Sequence, residues 1–134
     1  MTIRGFDHWA ITVADIGRTI AFYRELFGCE VLYEDLWRRG ECPIVSLCLG
    51  ANVINVHQAG NEGQPHARVP TPGSGDVCFR WDAPLADAIA LLEAHGVEVI
   101  EGPVPRPAAD GMTGASVYFR DPDGNLLELL STVD

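Results

Sequence analysis

The sequence predicts an α+β fold built from two βαβββ modules, at about residues 5–58 and 74–132. One observation is an internal repeat, in which Gly28-Cys29-Glu30-Val31-Leu32 recurs as Gly96-Val97-Glu98-Val99-Ile100. A second is that each copy follows an amphipathic helical pattern and precedes two further apolar segments of strand length. A third is the length of 134 residues, which suits one domain with its own core. We therefore expect a single domain over 1–134.

Two helices are predicted from their apolar spacing and their end signals. The first should begin after an N-cap at Asp15 and end before Gly28, whereas the second should begin near Pro84 and end before Gly96. Their apolar faces would consist of Ile16, Ile20, Tyr23 and Phe27 in the first, and Leu85, Ile89 and Leu92 in the second.

Strands are predicted wherever short apolar runs lie between turn signals. Two modules of this kind can pair their sheets into a curved, half-closed cup with the helices on the convex side, so alternate residues of each strand would face inward. In the first strand we expect Trp9, Ile11 and Val13 to pack under a helix. The clearest further strands are Ile44–Leu49, Val53–His57, Ser116–Arg120 and Leu126–Leu130, with others opening at Asp7-His8 and Asp76 and at residues 28–32 and 96–100.

Composition and charge narrow the function classes. The formal net charge of −10 argues against nucleic acid and anionic lipid surfaces as partners. No apolar run approaches membrane-spanning length and no leader pattern opens the chain, so we expect a cytoplasmic protein. The four cysteines form no CxxC pair and are expected to be small core side chains in a reducing compartment: Cys29, Cys42, Cys48 and Cys78.

Glu128 is the most informative residue, because two leucines flank it on each side in Leu126–Leu130. An ionised carboxylate is costly to bury unless a cation or another partner compensates it. Strand alternation directs polar groups from four strands to the same inner face, which predicts such a partner. These groups are His8, Asn55, His57, Asp76, Cys78, Arg80 and Glu128. Imidazole with carboxylate suits Fe(II), Mn(II), Zn(II), Ni(II) or Co(II).

Three segments resemble the vicinal-oxygen-chelate superfamily, which includes glyoxalase I, extradiol dioxygenases, fosfomycin-resistance thiol transferases and bleomycin-binding proteins. They are Asp7-His8 opening a strand, the helix end at 21–28, and Tyr118–Glu128 with its Asp-Pro-Asp-Gly turn. More narrowly, Ile54–His57, Pro70–Ser74 and Glu101–Arg106 look like the subgroup called glyoxalase domain-containing protein 5 or dioxygenase-III-like.

The resemblance implies a divalent metal and part of its ligand set. The superfamily's ligands in the first and eighth strands match His8 and Glu128. The chain departs from the pattern in the fifth strand, where Asp76 replaces the usual histidine, and in the fourth, where Asn55 replaces a glutamate or glutamine. We expect His8, His57 and Glu128 to bind the metal, with Asp76 as a fourth ligand or as a group that orients a histidine. The structural alternatives are a core histidine at His8, a strand-end role for His57 and a turn residue at Asp76.

Substrate contacts are predicted on inward positions and in long loops. The segments Gln58–Gly75 and Gly102–Gly114 are rich in glycine and proline and suit the rim of a cleft. Arg106 would hold an anionic substrate group, unless it is an ordinary solvated arginine. Arg80 is a second candidate, and Tyr118 or Trp37 would supply an aromatic wall.

Three functions remain open at this point. The first is a metal-dependent lyase or isomerase of glyoxalase type, in which Glu128 is the catalytic base. The second is an Fe(II) extradiol-type dioxygenase that holds its iron with His8, His57 and Glu128 and acts on a catechol-like substrate. The third is a metal-free protein that binds a drug or metabolite. In each case we expect a small-molecule ligand and a homodimer.

Overall fold

The computed structural model describes all residues, 1–134, and has the predicted α+β architecture with two four-stranded mixed sheets. The chain divides into two compact units, Met1–Gly73 and Ser74–Asp134. The predicted modules at 5–58 and 74–132 fall one in each unit. The single domain over 1–134 stays a prediction.

The first unit has the sheet order β1-β4-β3-β2, with β1 parallel to β4 and the other pairs antiparallel. The first helix begins and ends where the sequence predicted. The Asp15 side chain accepts a hydrogen bond from the Arg18 backbone N–H at 3.0 Å, and Gly28 ends the helix in the left-handed conformation. The elements are β1 His8–Val13, α1 Ile16–Phe27, β2 Glu30–Leu32, α2 Glu34–Arg38, β3 Ile44–Leu49 and β4 Asn52–Gln58.

The second unit repeats this arrangement with the sheet order β5-β8-β7-β6, again with one parallel pair, β5 and β8. Its elements are β5 Asp76–Arg80, α3 Leu85–Ala94, β6 Glu101–Pro107, β7 Thr113–Arg120 and β8 Leu126–Ser131. Helix α3 packs on β7 and β8. The alternation predicted for β8 is confirmed, because Leu127 and Leu129 are almost fully buried and Glu128 between them faces the other way. Strand β7, for which no alternation was predicted, buries Val117 and Phe119.

The predicted strand over residues 96–100 is wrong. The Val97 N–H still donates to the Leu92 carbonyl oxygen at 2.9 Å and completes the helix end, and pairing with β7 begins only at Ile100, whose N–H donates to Tyr118 O. The strand itself is Glu101–Pro107, which lies in the segment predicted to be a rim loop. Its three prolines are tolerated because β6 is an edge strand, where a missing N–H breaks no ladder.

Two further features of the first unit differ from the sequence prediction. Trp9 does not pack under a helix: it is 47 % exposed, whereas Ile11 and Val13 are buried as expected. Strand β1 lies at the edge of its sheet, and α1 packs on β2, β3 and β4. Helix α2 was not predicted, since it is only 5 residues long and has no side-chain N-cap.

Each unit buries its own apolar set between helix and sheet. The residues with the largest fully buried side chains include Ile16, Tyr23, Leu47 and Val56 in the first unit and Leu92, Phe119, Leu127 and Leu129 in the second. None of the helices combines the length and the apolar character needed to cross a bilayer.

Candidate functional site

A cavity of about 540 Å³ lies on the sheet of the second unit. Its lining combines a carboxylate, two guanidinium groups, a phenol and a thiol with a few apolar groups. Strand pairing explains the convergence, since Glu128 on β8 lies directly between Cys78 on β5 and Tyr118 on β7. The lining residues are Cys78, Arg80, Arg106, Pro107, Ala108, Ala109, Tyr118, Glu128 and Leu130.

Glu128 has a hydroxyl partner within its own sheet. The Ser116 Oγ–H donates to Glu128 Oε2 at 2.5 Å, and Ser116 itself is fully buried. The two residues are diagonal neighbours across β7 and β8, because Ser116 pairs with Leu130 and Glu128 pairs with Tyr118. A short bond of this kind to a carboxylate is charge-assisted and stronger than a neutral one. Glu128 is therefore held in a defined orientation at the cavity wall.

Cys78 lies beside Glu128 on the neighbouring strand. Burial, and then the negative charge of Glu128, raise the pKa of the Cys78 thiol to about 11. The thiol therefore stays protonated near neutral pH, and its S–H donates weakly to the Phe79 carbonyl oxygen at 3.8 Å. A neutral thiol is a poor nucleophile and a poor metal ligand. Cys78 is thus a neutral neighbour of Glu128 across the strand pair and does not act as a reactive thiolate.

Arg80 and Arg106 both line the cavity, and each donates a hydrogen bond to a different neighbour. The Arg106 Nε–H donates to the Tyr118 hydroxyl oxygen at 2.9 Å, and its guanidinium lies 5.5 Å from the centre of the Tyr118 ring. This bond, with the nearby Glu101 and Glu128 charges, raises the pKa of Arg106. Arg80 donates through Nη2 to Thr132 Oγ1 at 2.8 Å. Both side chains keep part of their surface exposed and have further donors.

The charge of the cavity wall differs in sign from that of the chain. Two guanidinium groups and one carboxylate line it, which leaves a formal charge of +1 on the wall, whereas the whole chain carries −10. Arginine presents several donors in a fixed plane and matches carboxylate or phosphate oxygens. The wall is therefore suited to a ligand with one negative group and further oxygen atoms.

In the first unit, the two candidate metal ligands lie on one face of the sheet but not side by side. His8 pairs with Val53, and His57 pairs with Thr12, four residues further along the strand. At about 3.3 Å per residue this separation is about 13 Å. The parity predicted from the sequence is thus correct for both residues, whereas their separation argues against a shared ion.

The two histidines also differ in the hydrogen-bond partners of their ring nitrogens. His8 Nδ1 lies 2.8 Å from Asp7 Oδ1, which resembles the carboxylate support of metal-binding histidines and leaves Nε2 outward. His57 Nδ1 accepts the Gly63 backbone N–H at 3.2 Å, so the neutral ring carries its proton on Nε2. Burial, and then the nearby His66, lower the pKa of His57 and favour this neutral form. His8 is therefore the better prepared ligand.

The residues of either unit alone do not fit a three-ligand metal centre. Neither unit gathers three or more histidine, cysteine, aspartate or glutamate side chains closely enough to hold an ion. Asp76 pairs with Leu126, two residues along the strands from the Cys78–Glu128 pair, and it does not line the cavity. Asn55, the counterpart of Glu128 in the repeat, accepts a hydrogen bond from Ser46 Oγ at 2.7 Å.

Sequence reasoning missed Ser116 and Asp110. Ser116 could have been found by extending the strand alternation to β7, where it shares a face with Tyr118. Asp110 lies in the turn between β6 and β7 and contacts Arg80, and no sequence signal indicated this contact. Trp37, a predicted aromatic wall, instead lies on α2, where the Arg38 guanidinium lies over its ring.

The sequence profile described as Glyoxalase/Bleomycin resistance protein/Dioxygenase superfamily matches residues 5–129. The chain belongs to this superfamily. It is 43 % identical over 134 residues to the glyoxalase domain-containing protein RDO1 of Mycosarcoma maydis, covering 100 % of this chain and 72 % of that protein. It is 41 % identical over 129 residues to the virulence protein STM3117 of Salmonella typhimurium, covering 96 % and 85 %.

Solved structures agree with this assignment. An integron cassette protein from V. Cholerae superimposes with a TM-score of 0.87 at 41 % identity, with 98 % of each chain covered. Superfamily relatives at greater distance include the lactoylglutathione lyase of Schizosaccharomyces pombe, 25 % identical over 98 % of this chain and 48 % of that protein. Another is the metallothiol transferase FosB of Staphylococcus epidermidis, 27 % identical over 95 % and 83 %.

Proposed function

We propose that the protein is a lyase or isomerase of glyoxalase type that moves a proton within a small anionic metabolite bearing neighbouring oxygen atoms. The observation that carries this proposal is the cavity whose lining brings Glu128 together with Arg80, Arg106 and Tyr118. This cavity combines a carboxylate that can act as a general base with cationic groups that bind an anion and stabilise developing negative charge. Membership of a superfamily with a lactoylglutathione lyase supports the reaction class.

The proposed chemistry assigns a role to each wall residue. Arg80 and Arg106 bind the anionic group of the substrate and orient it. Glu128 then accepts a proton from the carbon next to a substrate carbonyl. In an isomerisation it returns this proton to another carbon or oxygen of the resulting enolate, whereas in an elimination the bond from the neighbouring carbon to an oxygen breaks and the proton goes to the oxygen that leaves. The Tyr118 hydroxyl accepts a hydrogen bond from Arg106, so its own O–H can donate to the substrate oxygen that becomes negative. The hydrogen bond from Ser116 keeps the carboxylate directed into the cavity.

Proton abstraction gives a test that needs no knowledge of the natural substrate. Small 2-oxo and 2-hydroxy acids are incubated with the protein in D₂O, and deuterium incorporation next to the carbonyl is followed by proton NMR. We expect exchange with at least one compound, and Glu128→Gln should slow it about 100-fold or more. Glu98→Gln removes an exposed carboxylate of the same unit as a control and should retain the full rate. Equal rates in both variants would reject Glu128 as the base.

The second candidate function is a metal-free protein that binds a metabolite or drug. The observation that favours it is the pair of arginines in the cavity, which can bind an anion without a metal. It predicts tight binding of an anionic ligand with no exchange of substrate protons in D₂O. Binding that falls in Arg106→Ala, with no deuterium exchange in any compound that the wild type binds, would support this second function over the first.

The metal ligand set of His8, His57, Glu128 and Asp76 stays a prediction, and no step above depends on it. Elemental analysis of protein purified without chelators tests it, with His8→Ala and His57→Ala as variants. Loss of bound metal in both variants would support His8 and His57 as ligands. If the metal is iron, this result would also support the dioxygenase alternative. A homodimer and a cytoplasmic location likewise remain expectations, the first tested by sedimentation.

A further inference from the structure

The turn between β6 and β7 contacts Arg80, one of the two arginines that bind the substrate anion in the proposed function. Asp110 Oδ2 lies 3.3 Å from Arg80 Nη2, the same nitrogen that donates to Thr132 Oγ1. Neighbours of Asp110 in this turn, Ala108 and Ala109, line the cavity. The Asp110 carboxylate therefore already contacts one of the two guanidinium groups that an anionic ligand would bind.

The turn is well formed, but its link to the wall is weak. The Met112 N–H donates to Asp110 Oδ1 at 3.0 Å, and the Ala108 N–H donates to Met112 O at 2.8 Å, which define the turn from within. The Arg80–Asp110 pair is different, because its side chains are 42 % and 50 % exposed and its contact is long. Exposed ion pairs of this kind contribute little and are readily replaced by another anion.

We propose that Asp110 is a specificity-determining residue of the cavity, which competes with the substrate anion for Arg80 and is displaced when that anion binds. This inference rests on the proposed anion-binding role of the cavity. Displacement releases the tip of the turn from Arg80 while its internal hydrogen bonds remain. The competition weakens the binding of any ligand that offers Arg80 no better oxygen geometry than a carboxylate. A ligand that also reaches Arg106 gains an advantage that Asp110 does not remove.

The variant Asp110→Asn separates the two contacts of this side chain. Asparagine keeps an oxygen to accept the Met112 N–H and so preserves the turn, but it removes the charge that Arg80 attracts. Glu41→Gln is a matched control, because it also removes one negative charge and one exposed ion pair, that of Arg39 and Glu41 in the first unit. Any effect of the net charge alone appears in both variants.

The probe is inorganic phosphate, with binding measured by calorimetry at low ionic strength. We expect Asp110→Asn to bind it about 1.5- to 5-fold more tightly than the wild type, the range that corresponds to an exposed ion pair, and Glu41→Gln to match the wild type. Equal affinities for Asp110→Asn and Glu41→Gln would overturn the proposal.

Arg80→Ala and Arg106→Ala distinguish the two levels of the inference. If both lose phosphate while Asp110→Asn behaves as its control, the cavity binds anions and only the role of Asp110 fails. If the wild type does not bind phosphate, or if both arginine variants bind it as the wild type does, the anion-binding cavity and the role of Asp110 fail together.

Discussion

The hydrogen bond from Ser116 to Glu128 can be measured as a coupling free energy. The cycle uses Ser116→Ala, Glu128→Ala and the double variant, and the quantity of interest is the difference between the double effect and the sum of the single effects. Ser116 is fully buried, and its Oγ lies 2.5 Å from Glu128 Oε2. Hydrogen bonds to charged groups contribute about 1.5–3 kcal/mol. Because Glu128 also faces the cavity, we expect about 1.5 kcal/mol, the lower end of that range.

The first unit provides a neutral reference for this measurement. Ser46 Oγ donates to Asn55 Oδ1 at 2.7 Å between the strands that correspond to β7 and β8. The same cycle with Ser46→Ala and Asn55→Ala should give about 1 kcal/mol, the usual value for a neutral pair. Comparing the two cycles isolates the contribution of the negative charge, since both pairs join a serine to a side-chain oxygen across neighbouring antiparallel strands.

Urea unfolding followed by both circular dichroism and tryptophan fluorescence is the appropriate assay. Coincident transitions establish that one free energy describes the process, and unchanged m-values show that the variants unfold from comparable states. A coupling for Ser116 and Glu128 below about 0.3 kcal/mol, which is within the error of additivity, would refute the bond as a stabilising contact. A value no larger than that for Ser46 and Asn55 would refute its charge-assisted character.

Two further predictions concern the fold. A side chain at Gly102 would place its Cβ 2.4 Å from a backbone carbonyl oxygen of β7 at a φ of +109°, so Gly102→Ala should lower the unfolding free energy by about 3 kcal/mol. Gly40→Ala, at a φ of +74° with no atom within 4 Å, should cost only about 1 kcal/mol in the same urea titration. Hydrogen bonds from Arg24 and then Arg38 lower the pKa of Glu34 from 4.5. The ionised carboxylate therefore stabilises the folded state above about pH 4.5. This stabilisation is lost as the pH falls through the lowered pKa. Glu34→Gln should therefore lose less unfolding free energy than the wild type in acid titrations below pH 4.5, and equal losses would contradict the assignment.

The parts of the fold that local chemistry determines were predictable from the sequence. Asp15 and Gly28 fix the ends of α1 because one accepts a backbone N–H and the other adopts a positive φ at no steric cost. The alternation in β8 was readable because Leu127 and Leu129 need burial. Helix α2 was missed because five residues without an N-cap carry little local preference, so its formation depends on the surrounding chain.

Strand β6 shows why the remaining parts were not predictable. Three prolines in seven residues indicate a loop unless the strand is known to lie at an edge, and edge position is a property of the whole sheet. The repeat suggested a strand at 96–100, but a repeat identifies corresponding elements more reliably than their first residues. The register of β1 with β4 was equally hidden, and it is this register that separates His8 from His57.

Glu128 shows that the sequence can indicate the need for a compensating partner without identifying that partner. A carboxylate among leucines needs a compensating partner, and a metal cation was the natural expectation for Glu128. The structure supplies other partners from the same sheet: a buried hydroxyl on Ser116 and the positive charge of Arg106 nearby. The Ser116 hydroxyl and the nearby Arg106 charge compensate the carboxylate within the protein, while Glu128 still lines the cavity. The position of Glu128 is thus explained by its neighbours, and the metal becomes a separate question with its own experiment.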